Sequence, residues 1–235
     1  MKTKIAVFGV GRIGQIHLRN LIVNTSYEVA YLCDINVDLA KNVRDMYNLK
    51  SQCIGEQDFD LVFNDSTIRG VIIGTTTDSH EELCVRALNS GKHVMCEKPL
   101  AKSLKSVVNI INLAKRSGLI LMTAFNRRFC PQIRKVWQHV QNGEIGQLRT
   151  IKTVSRDHPR PPISYLATSG GIFHDCAIHD FGERLHKIQK LILIQDMIRF
   201  HSGQEPESVF TIAHAFYDDI REIGDVDTGT NLVLL

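Results

Sequence analysis

"KIAVFGVGRIGQIH", residues 4–17, decides the fold. A short run of strand-forming residues ends at Phe8 and enters Gly9-Val-Gly11-Arg-Ile-Gly14. Apolar residues then recur at helical spacing, at Ile13, Ile16 and Leu21, over 12–23. Three glycines in this pattern are weak evidence alone. Between a strand and a helix they form a dinucleotide-binding fingerprint. Gly9 permits the tight turn, Gly11 lets the backbone approach a diphosphate, and Gly14 lets helix and strand touch. The helix then offers its unpaired N–H groups to the anion, with Arg12 and Ile13 at the junction. Asp34 closes the next strand, 28–34, twenty residues after Gly14. A carboxylate there accepts hydrogen bonds from ribose hydroxyls and repels a 2′-phosphate, which favours NAD over NADP as cofactor.

Outward from this unit, strands and helices keep alternating. Helical patterns cover 36–48, 79–91 and 103–118, and strands cover 70–75, 92–97 and 119–125. Ser103 is a candidate N-cap and Gly118 a candidate stop. This rhythm predicts an α/β fold, with a parallel sheet built from βαβ units over 1–125. After Asn126 the pattern changes. A helix is expected over 131–143, a strand over 147–157, a proline-rich loop over 158–165, a helix over 174–200 and a strand over 207–217. The last residues, "TNLVLL", read as an apolar strand with nothing to pair with. Residues 126–235 are therefore expected to be a smaller α+β domain, incomplete at its end.

The 235 residues suffice for a real core. A net charge of +3, spread evenly, points to neither nucleic acid nor a membrane surface as partner. No apolar run is long enough to span a bilayer. Cysteines at 33, 53, 84, 96, 130 and 176 include no C-x-x-C pair, which fits reduced thiols in a cytoplasmic protein.

A second constellation is Glu97-Lys98-Pro99, directly after a predicted parallel strand, where ligands of such sheets bind. A lysine there is poorly placed for packing and well placed for chemistry. A third is "FHDCAIHDFGERLHKIQ", 173–189. Asp175 and His179 lie four apart, on one face of a helix. Glu183 and His186 continue the stripe, so a metal site is conceivable, because zinc sites use two histidines and a carboxylate. The dinucleotide fingerprint already accounts for redox chemistry, however, and no metal is expected.

"FGVGRIGQIH", "TTTDSHEELCVRALNSGKHVMCEKPLAKS", "FNRRF", "GEIGQL" and "GGIFHDCAIHD" occur in this order. With them the chain resembles the glucose–fructose oxidoreductase/inositol dehydrogenase (Gfo/Idh/MocA) family. "SRDHPRPPISYLATSGGIFHDCAIHDF" and "GDVDT" are most similar to its inositol 2-dehydrogenase branch. The resemblance implies an N-terminal Rossmann domain, and a second domain whose open β-sheet carries substrate and oligomer surfaces. It implies NAD-dependent oxidation of a cyclic polyol, inositol to keto-inositol. The other readings are a different sugar or diol, or a non-catalytic isoform that keeps only nucleotide binding. By the resemblance Lys98, Asp175 and His179 are catalytic, and Arg127 and Asp157 line the polyol pocket. Thr75, Thr76, His80 and Glu97 match segments near the nicotinamide ribose. The chemistry suits these types: a histidine accepts the hydroxyl proton, a lysine ammonium holds the oxygen, and a carboxylate orients them.

Residues 182–195 have no counterpart in the family. Their removal joins Phe181 to Asp196 within one ordinary helix, whereas keeping them lengthens it by about 21 Å. This segment is expected to be an insertion of retained-intron type. The family also continues past "GDVDT". An isolated chain ending here is expected to be weakly active, with its homo-oligomer surfaces compromised.

Overall fold

The computed structural model describes residues 2–151, 160, 162–169, 196–205 and 207–234. The chain forms two compact units, Met1–Ala124 and Phe125–Leu235.

In the first unit six strands make one parallel sheet: β1 (Thr3–Phe8), β2 (Tyr27–Cys33), β3 (Gln52–Ile54), β4 (Ile68–Ile73), β5 (His93–Cys96) and β6 (Leu121–Thr123). Their order is β3-β2-β1-β4-β5-β6, the doubly wound order of dinucleotide-binding sheets. Five helices alternate with them: α1 (Arg12–Ile22), α2 (Val37–Met46), α3 (Asp60–Asn64), α4 (Thr77–Asn89) and α5 (Leu104–Ser117). Successive side chains of a strand face opposite sides of the sheet, and Val7 and Phe8 are both fully buried, so both faces are covered. Val7 packs in a cluster with Val10, Leu18, Leu32, Ala40 and Val43. Phe8 meets Phe59 edge-on at 5.0 Å and stacks on Phe63 at 5.5 Å.

The expected helix stops are present. The Ser103 hydroxyl accepts a hydrogen bond from the Ser106 N–H at 3.0 Å, and Gly118 closes α5 in the left-handed conformation. Lys92 is buried at the amino end of the sheet, where its ammonium donates to the carbonyls of Asp65 at 2.7 Å and Ile68 at 3.3 Å. Burial pulls its pKa down, against the opposing pull of Asp65.

The second unit contains α6 (Pro131–Gln141), α7 (Ile163–Ser169), a helix at Asp196–Ser202 and the antiparallel pair β7 (Ser208–His214) and β8 (Thr228–Leu234). Three expectations change here. The segment 147–151 is not a strand, and among the described residues no strand runs beside it to take its hydrogen bonds; residues 152–157 lie outside the described residues. Ile163–Tyr165 belong to a helix rather than a loop, because the carbonyl of Pro162 accepts the Leu166 N–H at 3.1 Å and opens α7. The final apolar strand is paired, in register from Ser208↔Leu234 to His214↔Thr228. Of the helix expected over 174–200, only its end from Asp196 falls among the described residues. The five described cysteines, 33, 53, 84, 96 and 130, are free thiols. Among the described residues no helix is long and apolar enough to cross a membrane.

Candidate cofactor and active site

The loops that carry the candidate residues leave one edge of the sheet. Lateral hydrogen bonds continue just past the strand ends: the Gly9 N–H donates to Cys33 O at 2.7 Å, Gly74 to Phe8 at 2.8 Å, and Glu97 to Ile73 at 2.9 Å. The strand order reverses between β1 and β4, at the loops that begin at Gly9 and Gly74, which is the switch point where sheets of this order bind dinucleotides.

The glycines of the fingerprint have different reasons. Gly9 has φ +78°, and a Cβ there would lie 2.7 Å from the Gly74 carbonyl carbon. At Gly14 a Cβ would lie 1.8 Å from the Gly9 carbonyl oxygen. Both are therefore required by the protein's own packing. Gly11 is not: its φ of −67° suits any residue, and nothing stands within 4 Å of its Cβ position. That cradle, at the N-terminus of α1, is where a diphosphate would meet the backbone. The first turn of α1 carries no acidic side chain to repel it. Arg12 is exposed beside it, and Ile13 is half-buried. These residues fit a dinucleotide.

Asp34 follows β2 and faces the same turn. Its Oδ2 accepts the Val10 N–H at 2.9 Å, and its Oδ1 accepts the Asn36 N–H at 2.9 Å. The carboxylate is thus held by the fingerprint loop on one side and by the cap of α2 on the other. Ile35 beside it is exposed.

Lys98 follows β5, one strand beyond the switch point, and is half-buried. Its peptide bond to Pro99 is cis. Glu97 Oε2 accepts the Lys98 N–H at 3.2 Å, and Glu97 Oε1 lies 2.7 Å from His17 Nε2 on α1. Burial pushes the Glu97 carboxyl up, but the hydrogen bond and charge of His17, with the N–H and ammonium of Lys98, outweigh it and hold the group below its ordinary pKa. His80 is buried, with Nδ1 2.7 Å from Pro99 O and Nε2 3.2 Å from Thr75 O. A neutral imidazole can donate to only one of them. His80 therefore joins the loop after β5 to the loop after β4, and bears on a cofactor through those loops. Thr75 Oγ1 accepts the Ser79 hydroxyl at 2.7 Å, and Thr76 is exposed as the residue before α4.

In the second unit, Arg127 is half-buried in the short helical turn Asn126–Phe129. The neighbouring Arg128 donates from Nε to Asp196 Oδ1 at 2.7 Å, and Asp196 is 6% exposed. Asp157, Asp175 and His179 lie outside the described residues, as do His174, Glu183, His186 and all of 182–195. Among the described residues no group of three histidine, cysteine or acidic side chains could hold a metal ion. The residue that sequence reasoning missed is His17. A lone histidine three residues past Gly14 gives no local signal, because its partner lies eighty positions away.

Comparison with known proteins agrees with this geometry. The family described as "Oxidoreductase family, NAD-binding Rossmann fold" (GFO_IDH_MocA) matches residues 3–125. Myo-inositol 2-dehydrogenase of Thermotoga maritima is 34% identical over 226 residues, which cover 96% of this chain and 63% of the relative. A crystal structure of a myo-inositol dehydrogenase from Corynebacterium glutamicum superposes with a TM-score of 0.85 at 30% identity, covering 99% of this chain and 65% of the other. The scyllo-inositol dehydrogenase of Lactobacillus casei, solved with NAD(H) and scyllo-inositol, superposes with a TM-score of 0.82 at 26% identity, covering 99% and 66%. The chain thus spans a little under two thirds of the length of the relatives it matches.

Proposed function

This chain belongs to the Gfo/Idh/MocA oxidoreductase family, and on that premise we propose that its protein performs the NAD-dependent oxidation of a cyclic polyol hydroxyl, inositol to keto-inositol. One observation carries the proposal: α1, whose N-terminus is open at Gly11, is tied through His17 and Glu97 to the turn that bears Lys98. The inositol dehydrogenases among the relatives supply the substrate class.

The N-terminal unit holds the cofactor. Gly9, Gly11 and Gly14, with Arg12, Ile13 and the N–H groups of α1, take the diphosphate, and Asp34 takes the adenosine ribose. Thr75, Thr76, His80 and Glu97 form or support the nicotinamide side. NAD, when bound, supplies the hydride acceptor. The protein's own work is to place the polyol and move a proton. The Lys98 ammonium donates a hydrogen bond to the reacting oxygen and stabilises alkoxide charge as it develops. His179 accepts the hydroxyl proton, and Asp175, four residues before it, orients the pair. Arg127 and Asp157 hold the remaining hydroxyls. Residues 126–235 serve as the substrate domain, and the chain works in the cytoplasm.

The test is NADH formation by the purified protein with myo-inositol, scyllo-inositol, other sugars and acyclic diols, each with NAD and with NADP. Turnover of an inositol with NAD, weak in the isolated chain and abolished in Lys98→Met, is expected. Turnover confined to acyclic alcohols, or to NADP, overturns the proposal.

A further inference from the structure

The His17–Glu97 contact joins parts of the fold that the sheet keeps apart. His17 lies on the helix that follows β1, and Glu97 lies at the end of β5; β4 runs between those two strands. The side-chain link therefore passes over the end of β4, at the switch point itself. It is not a loose surface pair: the two side chains are only 14% and 16% exposed. Exposed ion pairs contribute little because water competes with them and both chains lose freedom, whereas a pair shielded to this degree holds its geometry.

The carboxylate is held at both oxygens. Oε1 meets His17 at 2.7 Å, and Oε2 accepts the Lys98 N–H at 3.2 Å. The Glu97 N–H is itself anchored on Ile73 O at 2.9 Å. Main chain and side chain of Glu97 thus fix the peptide plane that leads into Lys98, and with it the direction in which the lysine side chain departs.

We propose that His17 is a positioning residue: acting through Glu97, it aims Lys98 and references that aim to the helix that receives the diphosphate. The proposal rests on the reading of Lys98 as the group that holds the reacting oxygen. His17 touches neither the substrate nor its proton. Its effect belongs to kcat more than to binding, because a misdirected lysine still leaves the diphosphate cradle and the polyol contacts of Arg127 and Asp157 in place. Misplacement of a catalytic group by about 1 Å costs on the order of a hundredfold in rate.

Two variants of the full chain separate aim from mere packing. His17→Phe fills the volume and removes the nitrogen. His17→Gln keeps an N–H donor at about the reach of imidazole Nε2. Four quantities are measured: melting temperature, NADH affinity by fluorescence, kcat and KM for the inositol, and the 13C NMR resonance of Lys98 after reductive methylation, assigned by its loss in Lys98→Arg. In His17→Phe, kcat is expected to fall about tenfold to a hundredfold. NADH affinity and KM should stay close to wild type, and the Lys98 resonance should move. In His17→Gln, both kcat and the resonance should return towards wild type. An unchanged kcat in His17→Phe overturns the proposal, as does a glutamine variant as impaired as the phenylalanine one. If the wild-type protein oxidises no cyclitol, the functional reading fails by itself. The NMR comparison then decides the positioning claim: a resonance that moves in His17→Phe and returns in His17→Gln supports it, and one that stays put overturns it.

Discussion

Replacing Gly11 and Gly14 by alanine should give opposite results from the same added methyl group. At Gly14 the new Cβ would stand 1.8 Å from the Gly9 carbonyl oxygen. Ordinary carbon contacts begin near 3.5 Å. The Gly9 carbonyl would have to retreat by more than an ångström, although the same residue's N–H is fixed on Cys33 O at 2.7 Å. Overpacking of this kind costs about 1–3 kcal/mol or more. At roughly 4 °C per kcal/mol for a unit of this size, Gly14→Ala should melt several degrees lower. At Gly11 the methyl meets nothing within 4 Å, and φ is −67°. Gly11→Ala should therefore melt at or slightly above wild type, by about 0.4–1 kcal/mol of reduced unfolded-state entropy.

The cost at Gly11 appears only with ligand. A methyl in the cradle keeps the diphosphate off the helix N-terminus and should weaken NADH at least tenfold. With NADH at a hundred times the wild-type Kd, binding stabilises wild type by about 2.7 kcal/mol; a tenfold weaker variant at the same concentration gains about 1.4 kcal/mol. The NADH-induced rise in melting temperature should shrink from about 11 °C to about 6 °C. Thermal melts with and without NADH measure both quantities in one experiment. A Gly11→Ala protein with the full NADH shift would refute the placement of the diphosphate, and a Gly14→Ala protein with wild-type stability would refute the packing argument.

Three further outcomes are expected. Lys92→Met strands the Asp65 and Ile68 carbonyls at the amino end of the sheet, so unfolding free energy should fall by about 1–3 kcal/mol while NADH affinity, set at the opposite end, holds. The Glu97 pKa is held down in the fold, so its contribution to stability is present above the unfolded value of about 4.3 and is lost as pH falls through the lower folded value. Glu97→Gln should therefore lose less stability than wild type as pH falls below about 5, as read by melting temperature against pH. Arg128→Met leaves the buried Asp196 carboxylate without its guanidinium partner and should cost about 1–3 kcal/mol in urea unfolding, a range that allows for the half-exposed arginine.

The first unit was legible because its signals are local. Strand, glycine turn and helix stand side by side in 4–23, and Ser103 and Gly118 mark their helix by chemistry within one turn. The three-residue β3 and the single-turn α3 carry too few residues for any period to show, and they escaped. In the second unit the alternation over 147–157 suggests a strand, but its described part, 147–151, is not one, and alternation says nothing about whether a neighbour exists. The prolines of 158–165 suggest a loop, yet Pro162 starts a helix, a position where its missing N–H costs nothing. "TNLVLL" reads as unpaired because its partner strand, Ser208–His214, leaves no mark in a six-residue run. The candidate site divides the same way. Gly11, Asp34 and Lys98 are candidates from their places after strands. His17 was not, because its role is set by a contact across the sheet.

Binding of NAD through the α1 N-terminus and Asp34 is tested by titrating the purified chain with NADH and with NADPH. NADH should bind at least tenfold more tightly, and Asp34→Ser, which removes the carboxylate that accepts the ribose hydroxyls, should narrow that ratio. Equal affinity for the two nucleotides in the wild-type chain, or binding of neither, would rule out this mode of NAD binding.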